Sequence, residues 1–380
     1  MSRLSTRLKG RQLIWSLVPV ALGLVIVQLQ TAHRRAYVPL QNVRLPRLYL
    51  FPQRVAALAF SPDSHRLAIA DAQQQLWFYN LATRQFESHF DHQCQDDAQS
   101  LAWHQPDCLV VGDLERTRVF VLPRGTLQRT TPPLQQKRAR RYEPDHYYQT
   151  VLSPTGNVAA RGDVLGLIEV WNAVTGQRYF LLRDPHLITR GLALSANATT
   201  LAIGSFVVRN PPGNARWEMA VPVGIEIALR DAHTGQLRRT VRWDAAGIAW
   251  APGLARSELG LAFSPDGKTL AGVATAGLAL WDVASGHLLH KTKENSTPRW
   301  GGQKWIAFSP TGAFVAALGW DDAIYIWSVK TGKLLQVFHG SPYNDSLAFS
   351  PDSKLLATGG QDKRGEGVVK IWDVQALTTL

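Results

Sequence analysis

The sequence predicts an all-β chain: seven copies of one small four-stranded antiparallel sheet, set behind a single apolar helix. Three observations predict it. A tight-turn position recurs at Ser61, Gln105, Ser153, Ser195, Ser264, Ser309 and Ser350, at spacings of 44, 48, 42, 69, 45 and 41 residues. A second turn recurs near Thr83, Gly125, Gly176, Gly235, Gly286 and Gly332. Residues 13–29 form one mostly apolar stretch without charge.

The unit is plainest in residues 258–289, ELGLAFSPDGKTLAGVATAGLALWDVASGHLL. A first strand, GLAF, ends at Phe263. Ser264-Pro265-Asp266-Gly267 is a turn, with φ fixed by proline and a glycine free to take φ > 0. TLAGVA and LALWDV follow as strands, and HLLHK opens a fourth. So small a sheet cannot bury its own faces and needs neighbouring copies. The copies read LAFSPDS, LAWHQPD, TVLSPTG, LALSANA, LAFSPDG, IAFSPTG and LAFSPDS. A four-strand repeat of this period with a Trp-Asp ending resembles the WD-repeat β-propeller family over about residues 44–380. The Trp-Asp pair stands at Trp281-Asp282 and Trp372-Asp373, and becomes Trp171-Asn172, Trp327-Ser328, Tyr79-Asn80, Arg230-Asp231 and Leu122-Pro123 elsewhere. No Gly-His pair precedes the first strand of any repeat. The resemblance implies a seven-bladed β-propeller that binds other proteins without catalysis.

A chain of 380 residues fits one such ring. Its net charge of +12 does not point to nucleic acid, because residues 1–49 hold eight basic residues and no acid. The excess flanks the apolar segment and reads as membrane-surface charge. Residues 13–29 would span roughly 25 Å as a helix, the short end of a membrane crossing. Pro19 bends such a helix without forbidding it. Gln30-Thr31-Ala32 is a poor cleavage site, so an uncleaved anchor is preferred over a removed signal peptide. The domain reading is a basic start at 1–12, an anchor at 13–29, a linker at 30–43 and the propeller at 44–380. The short basic start favours a single-pass protein with its propeller outside the cytoplasm. Cys94 and Cys108 could pair or stay free.

Residues 44–50, RLPRLYL, precede the first repeat at the offset that a fourth strand would have: Leu48 to Ala59 is eleven, as is Val337 to Ala348. The seventh repeat has little room for its own fourth strand before Leu380. The expectation is that 44–50 completes the seventh sheet and removes an open edge, with residues 377–380 dispensable. Turns after strands one and three lie on one face of such a disc and are uniformly tight. All long insertions fall on the other: residues 132–148, 205–224, 243–257, 292–303 and 361–367. Long loops on one face of a rigid scaffold are the usual place for binding. The linker is expected to enter from the plain side, biasing the elaborated face away from the bilayer.

Within the insertions, Arg138, Arg140, Arg141 and Tyr142 form a basic run that could contact an acidic partner, or simply be solvated and balanced by Glu143 and Asp145. Arg216, Trp217, Trp250 and Arg256 are residue types common as binding anchors, though the tryptophans could instead pack back to order their own loops. These eight are the candidate partner-binding residues. His89, His92, Cys94, His104 and Cys108 are metal-competent but match no tight zinc spacing. Asp71, Asp113, Asp163, Asp321 or Asp322, and Asp362 follow second strands and read as turn caps. No catalytic, cofactor-binding or metal residue is assigned. The expected function is a membrane-anchored protein-interaction scaffold. The rivals are a hydrolase or lyase with a loop-built site over the central pore, and an extracytoplasmic ligand or glycan sensor. Removing residues 1–30 should leave a soluble ring with one cooperative thermal transition; aggregation without a melt would contradict an anchor outside the core.

Overall fold

The computed structural model describes residues 39–45, 54–91, 97–113, 116–122, 124–131, 148–163, 166–184, 189–209, 221–243, 259–274, 277–292, 305–319, 322–375 and 377. The described fold lies within the unit Pro39–Leu380. The expected anchor at 13–29 is outside the described residues. Among those that are described, no helix is long and apolar enough to cross a membrane.

Strand β1 is Gln41–Arg44. Blade one is β2 (Val55–Phe60), β3 (Arg66–Asp71), β4 (Gln75–Asn80) and β5 (Gln85–Asp91). Blade two is β6 (Ser100–Gln105), β7 (Cys108–Gly112), β8 (Thr117–Val121) and β9 (Thr126–Thr130). Blade three is β10 (Tyr148–Leu152), β11 (Val158–Asp163), β12 (Leu167–Asn172) and β13 (Arg178–Arg183). Blade four is β14 (Thr189–Leu194), β15 (Thr200–Arg209), β16 (Val221–Asp231) and β17 (Leu237–Trp243). Blade five is β18 (Gly260–Phe263), β19 (Thr269–Ala274), β20 (Gly277–Asp282) and β21 (Leu288–Lys291). Blade six is β22 (Ile306–Phe308), β23 (Phe314–Leu318), β24 (Ala323–Ser328) and β25 (Leu334–His339). Blade seven is β26 (Asn344–Phe349), β27 (Leu355–Gln361) and β28 (Gly367–Asp373), with β1 as its fourth strand. The innermost strands touch in a cycle, from β2 through β6, β10, β14, β18, β22 and β26 back to β2.

The turn signature works by local capping. Ser61, Ser195, Ser264, Ser309 and Ser350 each accept, through Oγ, the backbone N–H five residues on. Ser153 accepts from both Asn157 and Val158. The residue at the Asp position of the Trp-Asp pair does the same for the next turn: Asn172, Asp231 and Asn80 each accept two turn amides through Oδ1. Ser328 accepts one through Oγ. An Asx or Ser side chain suffices for this bond, so Trp-Asp can drift to Trp-Asn or Trp-Ser and keep the turn.

The tryptophans join blades. Trp372 stacks on Phe338 of blade six with centroids 4.9 Å apart. Trp281 meets Trp243 of blade four edge-on at 5.6 Å. Trp171 donates from Nε1 to Thr117 of blade two at 3.3 Å. Each thus packs against the preceding blade, where an aromatic pair contributes about 0.5–1.5 kcal/mol beyond its buried area. Glycines let the blades close together. A Cβ at Gly235 would stand 2.8 Å from Phe180 of blade three, and φ there is +74°. A Cβ at Gly204 would stand 2.3 Å from Leu259, at the entry to blade five.

Closure uses the N-terminal strand, three residues earlier than expected. β1 pairs antiparallel with β28, Gln41 opposite Ile371 and Arg44 opposite Val368. Of the expected strand 44–50 only Arg44 lies in it, and residues 46–50 fall outside the described set. The offset rule failed because it assumed links of equal length. Ten residues separate β1 from β2, against four between β25 and β26. Val43 and Leu45 enter a core with Val55, Tyr79 and Ile371 that joins blade seven to blade one. Tyr79 takes the place of a blade tryptophan here, and its hydroxyl hydrogen-bonds Gln41 Oε1 at 3.0 Å.

Two further expectations need correction. Residues 205–224 are not all loop: β15 and β16 stay paired out to Arg209 opposite Val221, across a bulge between Val207 and Val208. The aromatic and β-branched run Phe206-Val207-Val208 favours this ribbon. Nor is 377–380 dispensable as a whole, since Leu377 is 3% exposed in a core with Phe314, Phe338 and Trp372. Leu377→Ala should cost about 2–4 kcal/mol in denaturant unfolding, while removing 378–380 should be silent; a silent Leu377→Ala would contradict this packing.

The caps also set an acid limit. Asp231 is held well below the ordinary carboxylate range, chiefly by the Thr234 N–H. Asp266 is lowered chiefly by the Ser264 hydroxyl. A depressed folded pKa gives stability that is complete above the unfolded value, about 3.9, and lost as pH falls through the folded one. The melting temperature should therefore drop below about pH 4, and Asp231→Asn with Asp266→Asn should flatten that drop. An unchanged acid profile in the double variant would contradict it.

Candidate interaction face

Turns after first and third strands are short on the plain face. The five-residue turn between β2 and β3 is typical, and that between β6 and β7 has two residues. On the opposite face, 17 residues link β9 to β10 and 16 link β17 to β18. The difference has a physical basis. Most plain-face turns are closed by their own Ser or Asx caps and several pack on the preceding blade, so an insertion there would break these contacts.

All eight candidate partner-binding residues, Arg138, Arg140, Arg141, Tyr142, Arg216, Trp217, Trp250 and Arg256, fall outside the described residues, as does Cys94. What is described is how their loops are rooted. β15 and β16, at ten and eleven residues, are the longest strands described, and Arg209 and Val221 are still paired at their ends. Trp243, at the root of the link from blade four to five, is buried against Trp281. Thr131, at the root of the basic run, is buried, and its hydroxyl accepts the Thr117 N–H at 2.8 Å. The loops thus spring from fixed points.

Sequence reasoning missed two arginines that tie neighbouring segments together. Arg54 precedes β2 and pairs with Asp97, before β6, and with Asp345, in β26, at 3.4 Å from the latter. One guanidinium therefore ties blades seven, one and two. Arg118 and Asp113, both buried, form a second ion pair in blade two. The only sequence clue to Arg54 and Arg118 was a lone charge at a strand end or within an apolar strand, whereas Asp113 is one of the expected turn caps and accepts the Arg116 N–H at 2.7 Å. The Asp turn caps read as expected: Asp71 accepts from Gln73, Gln75 and Trp77, Asp163 from Leu167, and Asp362 from Arg364 and Glu366.

Other chemistry-bearing groups have structural surroundings. His89 stacks on Trp77 at 4.6 Å. Cys108 is buried, and desolvation pushes its thiol pKa up, away from reactivity. Burial also raises the Glu169 carboxyl, against the pull of Arg161 and Arg178. Glu169 lies opposite Arg161 on β11 and 3.6 Å from Arg178 on β13. Among the described residues, no group of three His, Cys, Asp or Glu side chains is placed to hold a metal ion.

Comparison with known proteins agrees with this architecture. The family model for the WD domain, G-beta repeat, matches residues 302–328 and 332–373. The chain is similar to the meiotic recombination protein rec14 of Schizosaccharomyces pombe, with 37% identity over 114 residues, 29% of this chain and 35% of that one. It is similar to centriole proteome protein 16 of Chlamydomonas reinhardtii, with 28% identity over 262 residues, 59% of this chain and 12% of that one. It is also similar to the transcriptional corepressor LEUNIG_HOMOLOG of Arabidopsis thaliana, with 28% identity over 112 residues, 29% of this chain and 13% of that one. The matches thus span about a third or less of these relatives' own length. With seven four-stranded blades, a Trp-Asp or related ending on most of them and the repeat model matched in blades six and seven, the chain has the architecture and the repeat signature of WD-repeat β-propellers.

Proposed function

We propose that this protein is a non-catalytic scaffold that binds another protein through the face carrying the long links. The one-sided distribution of loop length supports this reading most directly: capped turns of five residues or fewer on one face, links of 16 and 17 on the other. The ring holds its shape through inter-blade packing, so the loops can diverge without loss of the fold. The basic run at Arg138, Arg140, Arg141 and Tyr142 and the Arg–Trp groups at Arg216, Trp217, Trp250 and Arg256 supply anchor chemistry. The relatives' names, a corepressor and a recombination protein among them, suit regulatory rather than enzymatic work.

The scaffold is membrane-anchored in this proposal, through residues 13–29, with the propeller outside the cytoplasm and its loop-bearing face away from the bilayer. The support is sequence chemistry: a charge-free apolar run flanked by basic residues.

Affinity capture from membranes tests the binding face. The full-length protein is compared with a variant whose residues 210–220 are replaced by an Asn-Gly turn closing the β15–β16 ribbon. The expected result is loss or sharp depletion of a captured protein at an unchanged melting temperature. Recovery of the same proteins by both would remove this loop from the site.

A further inference from the structure

The ring's closure leaves an open cleft of about 460 Å³ on blade seven. Its walls come from both ends of the chain. Asn42 and Arg44 project from the closing strand, opposite Lys370 and Val368 of β28 in register. The turn at Asp362–Arg364 forms one rim, and Ser341-Pro342 of the link from blade six forms the other. The volume is within the range of small-molecule sites, about 300–1,000 Å³.

The lining is rich in cations whose charge is poorly matched. Lys370 is the central one. Its Nζ donates to Gly340 O at 2.6 Å and lies 6.0 Å from the Trp372 ring centroid. Among the described residues no carboxylate pairs with it directly. Burial pulls its ammonium below the ordinary lysine range, against the longer-range attraction of Asp322. A half-buried ammonium with two donors left is stabilised by an anion that accepts them. Lys363 and Arg364 are exposed on the rim and make no ion pair among the described residues.

The nearby acids are already engaged. Asp362 accepts two turn amides through Oδ1. Arg44 lies 3.6 Å from its Oδ2 and 2.9 Å from Glu366 Oε2. Neutral donors complete the wall: the Asn42 amide and the Ser341 hydroxyl. Cations, an amide and a hydroxyl converging on one open volume are the donor set of an oxyanion site.

We infer that this cleft binds the phosphate group of a small organic phosphate ester, held by Lys370 and Arg364 with Asn42 and Ser341 as neutral donors. The volume leaves room for an organic group beside the phosphate. Because the closing strand supplies one wall, an occupied cleft also favours a seated β1. The inference does not depend on the proposed protein-binding role.

The test follows thermal unfolding of the full-length protein by tryptophan fluorescence, with ribose 5-phosphate, inorganic phosphate or gluconate at matched ionic strength. Ribose 5-phosphate should give a saturable rise in midpoint of about 2 °C, since a ligand specific to the folded state stabilises it. Gluconate should give none. A comparable rise with inorganic phosphate identifies free phosphate as sufficient; a smaller one assigns part of the affinity to the organic group. Lys370→Met should weaken the response about tenfold or more, as expected for a lost charge-assisted hydrogen bond. If that variant does not fold, Lys363→Ala with Arg364→Ala on the exposed rim should weaken it in the same direction. Equal midpoints in all three ligands, or variants that respond like the unaltered protein, would overturn the inference.

Discussion

Everything in this molecule depends on the pairing of β1 with β28. Seven wedge-shaped sheets can bury their faces only if each has a neighbour on both sides, and a linear array leaves two faces bare. Here the first strand of the described fold sits in the last blade, so the covalent ends of the ring share one sheet. Without β1, the N–H and C=O groups of β28 would form an open edge. The contact also carries apolar weight. Val43 and Leu45 fill the joint between blades seven and one, and Tyr79 replaces a blade tryptophan with a ring that fills space and a hydroxyl that reaches Gln41.

A closed ring divides the labour between its faces. On the plain face most turns carry a Ser or Asx cap, and several also pack on the preceding blade. Phe180 on Gly235 and His290 on Gly332 are two such contacts. On the other face the links have no such contact in common, and the constraints lie deeper: Arg54 across three inner strands, Trp243 against Trp281, Thr131 against Thr117. Loop variation on that face therefore costs the core little. The same closure builds the cationic cleft, because strand β1 brings Asn42 and Arg44 beside Lys370.

What the residues revealed in advance follows from what is local. Ser-Pro-Asp turns, Trp-Asx endings and their spacing report contacts within five residues, and seven blades could be counted from them. The substituted endings at Asn80, Asn172 and Ser328 kept their capping bonds, so the drift from Trp-Asp did not change the count. The failures are all non-local. Gln41–Arg44 has only one buried apolar side chain, Val43, too weak a pattern to be seen as a strand without its partner. Leu377 stands three residues from the C-terminus, and nothing in its neighbours marks it as core. Phe206-Val207-Val208 looked like loop because the repeat ended before it, whereas its partner lies across the insertion. Arg54 and Lys370 are isolated charges whose partners are remote in sequence. The proposed binding anchors were legible only as composition, since no repeat or period fixes a loop's shape.

Hydrogen exchange on the propeller with and without residues 39–45 tests the role of closure most directly. With β1 removed, protection should fall in β28 and also in β2 and β4, because blade one loses Val43, Leu45 and the Gln41 bond together. Loss confined to the outer edge of β28, with blade one as protected as before, would contradict the account.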